Sequence, residues 1–153
     1  MDAKWTLIDT DIHPRPDPAR VAHFLAEPWR TRFLSGNRGP GYLGYWNPIG
    51  VRRSDAVLPD GSHIADSAQS LASHFLNLYN IEYGLLNVED LAIGLSPEVN
   101  YSAAVVSAIN DVIVQEWLPV DPRLRASIIV SPGDPQLAAR GHFVPLTHPE
   151  IGE

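Results

Sequence analysis

The stretch LIDTDIHPRPDP, from Leu7 to Pro18, limits the fold more than any other part of the sequence. Residues 5–12 are rich in β-formers and predict a strand, which places Asp9, Asp11 and His13 on one of its faces. Three prolines then follow at alternate positions. Each of them removes a backbone donor and fixes φ, so the strand must end there. A buried strand that ends in carboxylates and an imidazole is therefore the feature to explain.

Predicted helices and strands alternate along the rest of the sequence. This alternation predicts the α/β class, with three parallel strands in the order 1-2-3 and crossover helices between them. No glycine-rich phosphate motif follows the first strand, so nucleotide binding has no support in the sequence. The elements predicted after the first strand are a helix at 19–26, a helix from an N-cap at Asp66 through Tyr79, a strand at 83–88, a helix at 96–117, a strand at 126–130 and a helix at 134–141.

Two segments are expected at the margins of this sheet. Residues 35–62 are rich in glycine, proline and aromatic residues, and we expect them to cover the carboxyl ends of the strands. They would serve as a lid or as an oligomer contact, or they would pack on their own domain. Arg53 and Asp55 are expected to form an ion pair there. The run ASIIV, Ala126 to Val130, predicts a strand buried on both faces. As the edge of a three-stranded sheet it invites pairing with another chain, which predicts a homo-oligomer.

Composition and charge exclude several classes of protein. The chain has 153 residues, of which 44% are hydrophobic, enough for one globular core. Its 18 acidic and 11 basic residues give a net charge of -7, which disfavours nucleic acid and anionic membranes as partners. The sequence contains no cysteine, which excludes disulfides, thiolate metal ligands and cysteine nucleophiles. Without a signal-like segment or a long apolar run, we expect a cytoplasmic protein that does not span a membrane.

Asp11 and His13 are candidate metal ligands. A carboxylate oxygen and an imidazole nitrogen on one face suit a divalent metal such as zinc or manganese. A catalytic zinc usually has about three protein ligands, so the others would come from elsewhere in the fold. The alternative is a polar pair that caps the strand and fixes the next loop. Asp9, one step deeper, fits a hydrogen-bonding role for loop amides or for His13 better than ligation.

The remaining histidines fit structural or solvated roles better than ligation. His23 and Glu27 lie four residues apart on a predicted helix, a spacing compatible with chelation but more typical of a surface pair. His74 lies on a predicted helix, where a hydrogen-bonded histidine is the usual case. The histidines in predicted loops are His63, His142 and His148.

Three segments carry a resemblance to a known family. WTLIDTDIHPRP resembles the first strand of the amidohydrolase superfamily, in the amidohydrolase-related branch that includes aminocarboxymuconate-semialdehyde decarboxylase-like enzymes. YWNPIGVRRSDAVLPDG resembles the insertion after that strand. NDVIVQEWLPVDPRLRASIIVSPGDPQLAAR resembles the second helix, the third strand and the following turn. Together the likeness spans about Trp5 to Arg140.

The resemblance implies a (β/α)8 barrel whose first strand supplies two metal ligands, here Asp11 and His13. Further histidine and aspartate ligands would come from later strands, and the metal would activate water or polarise a small carboxylated or amide-like substrate. The commoner pattern of the superfamily is His-x-His. The aspartate at position 11 departs from it and shifts the ligand set toward oxygen, which leaves the identity of the metal open between zinc, the first expectation, and manganese.

The length of the chain bears on this interpretation. A (β/α)8 barrel has about 250 residues and seldom fewer than roughly 200. We therefore expect a partial barrel domain at 1–140, truncated after about three strands, and an unmatched tail at 141–153. Two functions stay open. The first is the amino-terminal part of a metal-dependent hydrolase, or of a decarboxylase and thus a lyase, inactive alone because the later ligands are missing. The second is a non-catalytic binding or assembly module.

Overall fold

The computed structural model describes residues 5–36, 53–88 and 97–141. These residues form a small α/β domain in which helices pack on a parallel sheet. In chain order the elements are β1 (Leu7–Ile12), α1 (Pro18–His23), α2 (Trp29–Leu34), a 3-10 turn (Ser54–Ala56), α3 (Ala68–Leu71), β2 (Ile81–Leu86), α4 (Val99–Val112), β3 (Leu124–Ala126) and α5 (Pro135–Gly141). Single π-helical turns extend α3 over Ala72–Leu76 and α4 over Ile113–Trp117, and the latter continues into a 3-10 turn, Leu118–Val120.

The sheet has the predicted topology. Its order is β1-β2-β3 and both pairs are parallel, so the α/β class and the strand order predicted from the sequence are confirmed. Asp9 lies opposite Gly84, and Gly84 lies opposite Leu124. The carboxyl ends of the three strands therefore meet along one edge of the sheet, where parallel α/β proteins place their ligand sites.

The core lies between one face of the sheet and the helices. α1 and α2 pack against α4, and α5, which follows in the chain, also packs against α4. The apolar face predicted for α4 is confirmed, because all five of its predicted core residues are buried. These residues are Val105, Ile109, Val112, Ile113 and Trp117.

The continuous helical stretch Val99–Val120 has the length and apolar composition of a membrane span. Core helices of folded domains have the same composition, and this helix places Tyr101, Val105 and Val106 in the buried core with almost no exposed surface. Packing within the domain therefore accounts for its apolar character.

The third strand was predicted too late in the sequence. Pairing with β2 ends at Ala126, and Ile128 and Val130 are 44% and 50% exposed rather than buried on both faces. The reason is a side chain on α4. Asn110 donates to the carbonyl oxygen of Ile129 at 2.9 Å and accepts from its amide at 3.1 Å, so an amide side chain takes the hydrogen bonds that a neighbouring strand would take.

The N-cap predicted for the helix at residues 66–79 was wrong by one residue. Ser67 caps α3, because its hydroxyl accepts from the amide of Ser70 at 3.1 Å. Asp66 instead accepts from the amide of His63 and pairs with Arg15 at 3.1 Å. Both residue types are good caps, and the sequence alone does not distinguish two adjacent ones.

The apolar face predicted for the same helix holds only for its first turns. Leu71 is buried, but Tyr79 is 47% exposed and Leu76 is fully buried in its place. The π-helical turn at Ala72–Leu76 explains the change, because an i to i+5 turn contains one extra residue and shifts the phase of everything after it.

Two other predicted boundaries were displaced: α1 ends at His23 rather than near residue 26, and β2 covers Ile81–Leu86 rather than 83–88. The buried positions of the first helix and the start of the last helix were predicted correctly. α1 buries Val21 and leads on to the buried Leu25, as expected for the helix at 19–26. Asp134 caps α5, accepting from the amides of Gln136 and Leu137 at 2.8 and 3.0 Å. The aromatic lid or contact expected within 35–62 lies largely outside the described residues, which resume at Arg53.

Candidate metal site at the carboxyl end of the sheet

A pocket of about 220 Å³ opens beside the carboxyl end of β1. Its floor and apolar wall include Ile12 and Phe75. Asp9, Asp11 and His13 all line it, as predicted from their alternation in the strand. Its opposite side is formed by residues that precede α3. The residues on that side are Arg53, Asp55, Ala56, His63, Ile64 and Ala65.

Asp11 and His13 face each other in this pocket. The Nε2 atom of His13 lies 3.5 Å from Oδ1 of Asp11. The side chain of Asp11 is 75% exposed and that of His13 is 45% exposed, so an ion from solvent can reach both. Ile12, between them in sequence, is buried in the core and contributes only to the apolar lining of the pocket. The strand therefore separates a packing residue from two ligand-type residues.

A backbone carbonyl fixes the tautomer of His13. Its Nδ1 atom lies 2.9 Å from the carbonyl oxygen of Asn87. A carbonyl oxygen only accepts hydrogen bonds, so Nδ1 carries the proton and donates it. In the neutral ring, Nε2 then holds its lone pair toward Asp11. Metal-binding histidines in proteins almost always have this arrangement, with the second ring nitrogen donating to a carboxylate, carbonyl or water.

The separation of the two facing atoms fits a shared ion better than a direct hydrogen bond. A distance of 3.5 Å is long for an N–H···O bond, for which about 2.7–3.2 Å is usual. Two ligands at about 2.1 Å from one tetrahedral zinc are about 3.4 Å apart. The separation of this nitrogen and oxygen is compatible with one shared ion, and equally with an ion pair between the carboxylate and a protonated imidazole. The donor set suits zinc or manganese.

Asp9 has the hydrogen-bonding role that the sequence favoured for it. Its Oδ1 accepts from the backbone amide of Asp11 at 2.9 Å. The amide belongs to the strand itself rather than to a loop. This contact holds the backbone of Asp11 in place and leaves the carboxylate of Asp11 directed at His13.

Two further residues join this strand end, and neither was singled out from the sequence. Asn87 directly follows β2 and Ser127 directly follows β3. The Asn87 amide nitrogen donates to the carbonyl oxygen of Thr10 at 2.6 Å, and Ser127 Oγ donates to Asn87 Oδ1 at 2.6 Å. No signal in the sequence marked them, because both lie inside the strands predicted at 83–88 and 126–130 rather than directly after those strands.

The expected ion pair between Arg53 and Asp55 is present at the rim of the pocket. The guanidinium donates to the carboxylate through Nε at 2.9 Å and through Nη2 at 2.5 Å. These bonds lower the pKa of Asp55 and raise the pKa of Arg53. Asp55 is therefore committed to Arg53.

His63, expected in a solvated loop, is half-buried and lines the pocket instead. A bridge between Val57 and His63 folds this segment back toward β1. The Nδ1 atom of His63 accepts from the amide of Ala65 at 3.1 Å, so in the neutral ring its proton is on Nε2. This tautomer is opposite to that of His13.

The remaining candidates lie apart from this pocket. α1 ends at His23, so His23 and Glu27 do not lie on one helix, and Glu27 accepts from the amide of Thr31 at 3.2 Å. His74 is exposed on the π-helical turn after α3. His142 and His148 lie outside the described residues. Within the described ranges, no cluster of three or more histidine, aspartate or glutamate side chains is arranged to hold a metal ion.

A scan against models of known protein families and a search of curated proteins both gave no match for this chain.

Proposed function

We propose that this chain carries the metal-binding strand end of a metal-dependent hydrolase of the amidohydrolase-related kind. The observation that carries the proposal is the pair formed by Asp11 and His13. Its nitrogen and oxygen are 3.5 Å apart, and the histidine donates its other ring proton to the Asn87 carbonyl. A capping pair needs neither the lone pair on Nε2 nor this separation, whereas a shared divalent cation needs both.

The parallel sheet supports the wider architecture of the proposal. A (β/α)8 barrel begins with parallel strands joined by helices and has its active site at their carboxyl ends. The three strands described here have that order, and Asp11 and His13 lie at that end. We therefore propose that the three strands are the first βα units of such a barrel.

The residues of the pocket define what they would do in the reaction. Asp11 and His13 would hold the ion, and each would occupy one coordination position. A bound zinc or manganese would supply Lewis acidity, either to a water molecule or to a substrate carbonyl. Asp9 positions the Asp11 backbone through its amide, and Ile12 and Phe75 form the apolar wall. A pocket of about 220 Å³ suits a small carboxylated or amide-like substrate. The same site would serve a decarboxylase. We propose the cytoplasm as the compartment of either enzyme.

The proposal is tested by titrating the protein with Mn²⁺ and following the histidine ring signals by NMR, since a bound Mn²⁺ broadens nearby lines even when binding is weak. We expect the His13 ring to broaden first. Asp11→Asn should lower the affinity at least about tenfold, because an amide is a neutral and weaker ligand. Glu82→Gln, which removes one exposed carboxylate from β2, is the control and should leave the affinity unchanged.

Two results would contradict the metal site. The first is equal broadening of His13 and His23, since His23 is an exposed histidine on α1 outside the pocket. The second is an Asp11→Asn variant that binds Mn²⁺ as the parent does. Metal-loaded protein should then be assayed with small amides and carboxylated substrates, and His13→Ala should abolish any turnover that is found.

A non-catalytic assembly module is the second candidate function. Exposed apolar side chains favour it: on β1, an outer strand of the described sheet, Leu7 and Ile8 are 48% and 64% exposed. Open strand edges with apolar side chains pair with other chains. We expect homo-oligomers by sedimentation at tens of micromolar, the order at which such edges associate. Ile8→Lys should shift the protein toward monomer, and a parent that is already monomeric would remove this candidate.

A further inference from the structure

The carboxyl ends of all three strands are joined by one hydrogen-bond network. The backbone amide of Asn87 donates to the carbonyl oxygen of Ile12 at 2.7 Å, and that of Ser127 donates to the carbonyl oxygen of Leu86 at 2.9 Å. These bonds continue the parallel ladders by one residue past each strand. Asn87 and Ser127 are consequently held in register with the end of β1.

The side chains of Asn87 and Ser127 extend the network toward β1. Ser127 Oγ donates to Asn87 Oδ1 at 2.6 Å. The amide nitrogen of Asn87 then points the opposite way, where it donates to the Thr10 carbonyl oxygen at 2.6 Å and approaches Asp11 Oδ1 at 3.4 Å. The reverse orientation of the amide would put two oxygens against each other at Thr10, so Ser127 and Thr10 together fix it.

Asn87 is in contact with both members of the candidate metal pair. Its backbone carbonyl accepts from His13 Nδ1 at 2.9 Å, and its side-chain nitrogen lies 3.4 Å from the Asp11 oxygen that faces His13. One residue therefore touches the histidine on one side and the aspartate on the other. Substituting its side chain removes the contacts with β1 but leaves the carbonyl in the chain.

We propose that Asn87 and Ser127 are positioning residues for a divalent cation held by Asp11 and His13. The Asn87 side chain binds the end of β1 and so holds His13 against the backbone carbonyl oxygen of Asn87. This contact keeps the proton of His13 on Nδ1 and leaves the lone pair of Nε2 turned toward Asp11. Ser127 orients the Asn87 amide so that it can do this. The inference rests on the proposed function, because it gives that site the hydrogen-bonded partners that metal ligands in proteins require.

The first test measures the metal-free protein by NMR at a pH where His13 is neutral. The nitrogen shifts of the His13 ring should show protonation at Nδ1 in the parent chain. Asn87→Ala should lower the share of that tautomer. Asn77→Ala is the matched control: Asn77 precedes β2 at the other end of the sheet and binds Arg123, so the tautomer should not change. An Nε2–H tautomer in the parent, or an unchanged tautomer in Asn87→Ala, overturns the proposal.

The second test titrates the same variants with Mn²⁺. Asn87→Ala should weaken binding about 10- to 100-fold and Ser127→Ala by less, the range found when partners of metal ligands are removed. Ser127→Thr keeps a hydroxyl and should restore binding toward that of the parent. Thermal unfolding of each variant separates this role from a structural one, since a residue that only stabilises the sheet would lower Tm without changing the affinity. Affinity lost equally in Ser127→Ala and Ser127→Thr overturns the role of the hydroxyl.

The two tests distinguish failure of this inference from failure of the proposed function. If the parent binds no Mn²⁺ but Asn87→Ala still changes the His13 tautomer, the positioning network is supported and the metal-dependent function is wrong. If the parent binds Mn²⁺ at His13 and Asn87→Ala changes neither tautomer nor affinity, the metal site stands and this inference is wrong.

Discussion

Two regions of the same sheet, its helix-packed face and its carboxyl edge, are built on opposite principles. On the packed face, Ile12 and Leu124 are buried and converge on Gly84, where a Cβ atom would lie 2.7 Å from the Ile12 Cδ1 atom. At the edge, Asp11 and His13 are exposed and are fixed by hydrogen bonds rather than by packing. One residue step along β1 separates the two. Stability and the candidate chemistry of this domain therefore depend on different side chains of one strand.

The largest effect is expected from the packed face. Leu86 at the end of β2 has no exposed surface, so Leu86→Ala should lower the free energy of unfolding by about 2–5 kcal/mol through lost burial and a residual cavity. Leu85, its half-buried neighbour on the other face, is the matched control. Urea unfolding of both alanine variants measures the difference. Equal losses at the two positions would mean that the packed face does not dominate stability.

A smaller effect is expected where the packed face is tightest. An alanine at Gly84 would place its Cβ atom 2.7 Å from Ile12 Cδ1 and 3.1 Å from Leu76 Cδ2. These are the ends of side chains, which can move, so we expect Gly84→Ala to cost about 1–3 kcal/mol by overpacking. Thermal or urea unfolding checks this value. A variant as stable as the parent would show that the contact relaxes freely.

The amino end of the sheet should contribute stability that depends on pH. Arg123 donates to Asp121 through Nε at 2.9 Å and Nη2 at 2.7 Å, and these bonds lower the pKa of Asp121. The stabilisation is therefore complete above the unfolded pKa of about 4 and is lost as the pH falls through the lower folded value. Asp121→Asn should cost about 1–2 kcal/mol at pH 7.

The pH dependence of that variant is the sharper part of the measurement. Urea unfolding of Asp121→Asn and the parent should give a constant difference from pH 7 down to about pH 5, which then shrinks below about pH 4. A difference that grows on acidification would contradict the assignment to Asp121.

Much of the fold could be predicted because it depends on local patterns. Strand order and the buried face of α4 followed from alternation and from the 3.6-residue period. The errors came from one contact between distant residues and from one irregular helical turn. Asn110 ends β3 by occupying the backbone of Ile129, and the π-helical turn at Ala72–Leu76 moves Tyr79 into solvent. Neither effect leaves a periodic signal in the sequence.

The candidate site divides in the same way. Asp11 and His13 could be placed together because side chains two apart in a strand share a face. Asn87 and Ser127 come from other strands, and their contacts with β1 depend on the register of the sheet, which hydrophobic periodicity alone did not determine. His63 reaches the pocket only because its segment folds back on Val57. Ligand-type residues were therefore visible in the sequence, whereas the residues that position them needed the structure.

The smallest effect on stability is expected where the effect on metal binding should be largest. Asp11 is 75% exposed and makes no buried contact that alanine would empty, so Asp11→Ala should change the free energy of unfolding by no more than about 0.5 kcal/mol. Loss of the ion pair with His13 adds little to this cost, because solvent screens the interaction between exposed charges. Urea unfolding of Asp11→Ala beside Leu86→Ala provides the comparison on one scale. If Asp11→Ala unfolded as easily as Leu86→Ala, the carboxylate of Asp11 would be a structural cap of β1. The residue on which the metal proposal most depends would then contribute to stability as the packed face does, and the difference between the packed face and the carboxyl edge would not hold.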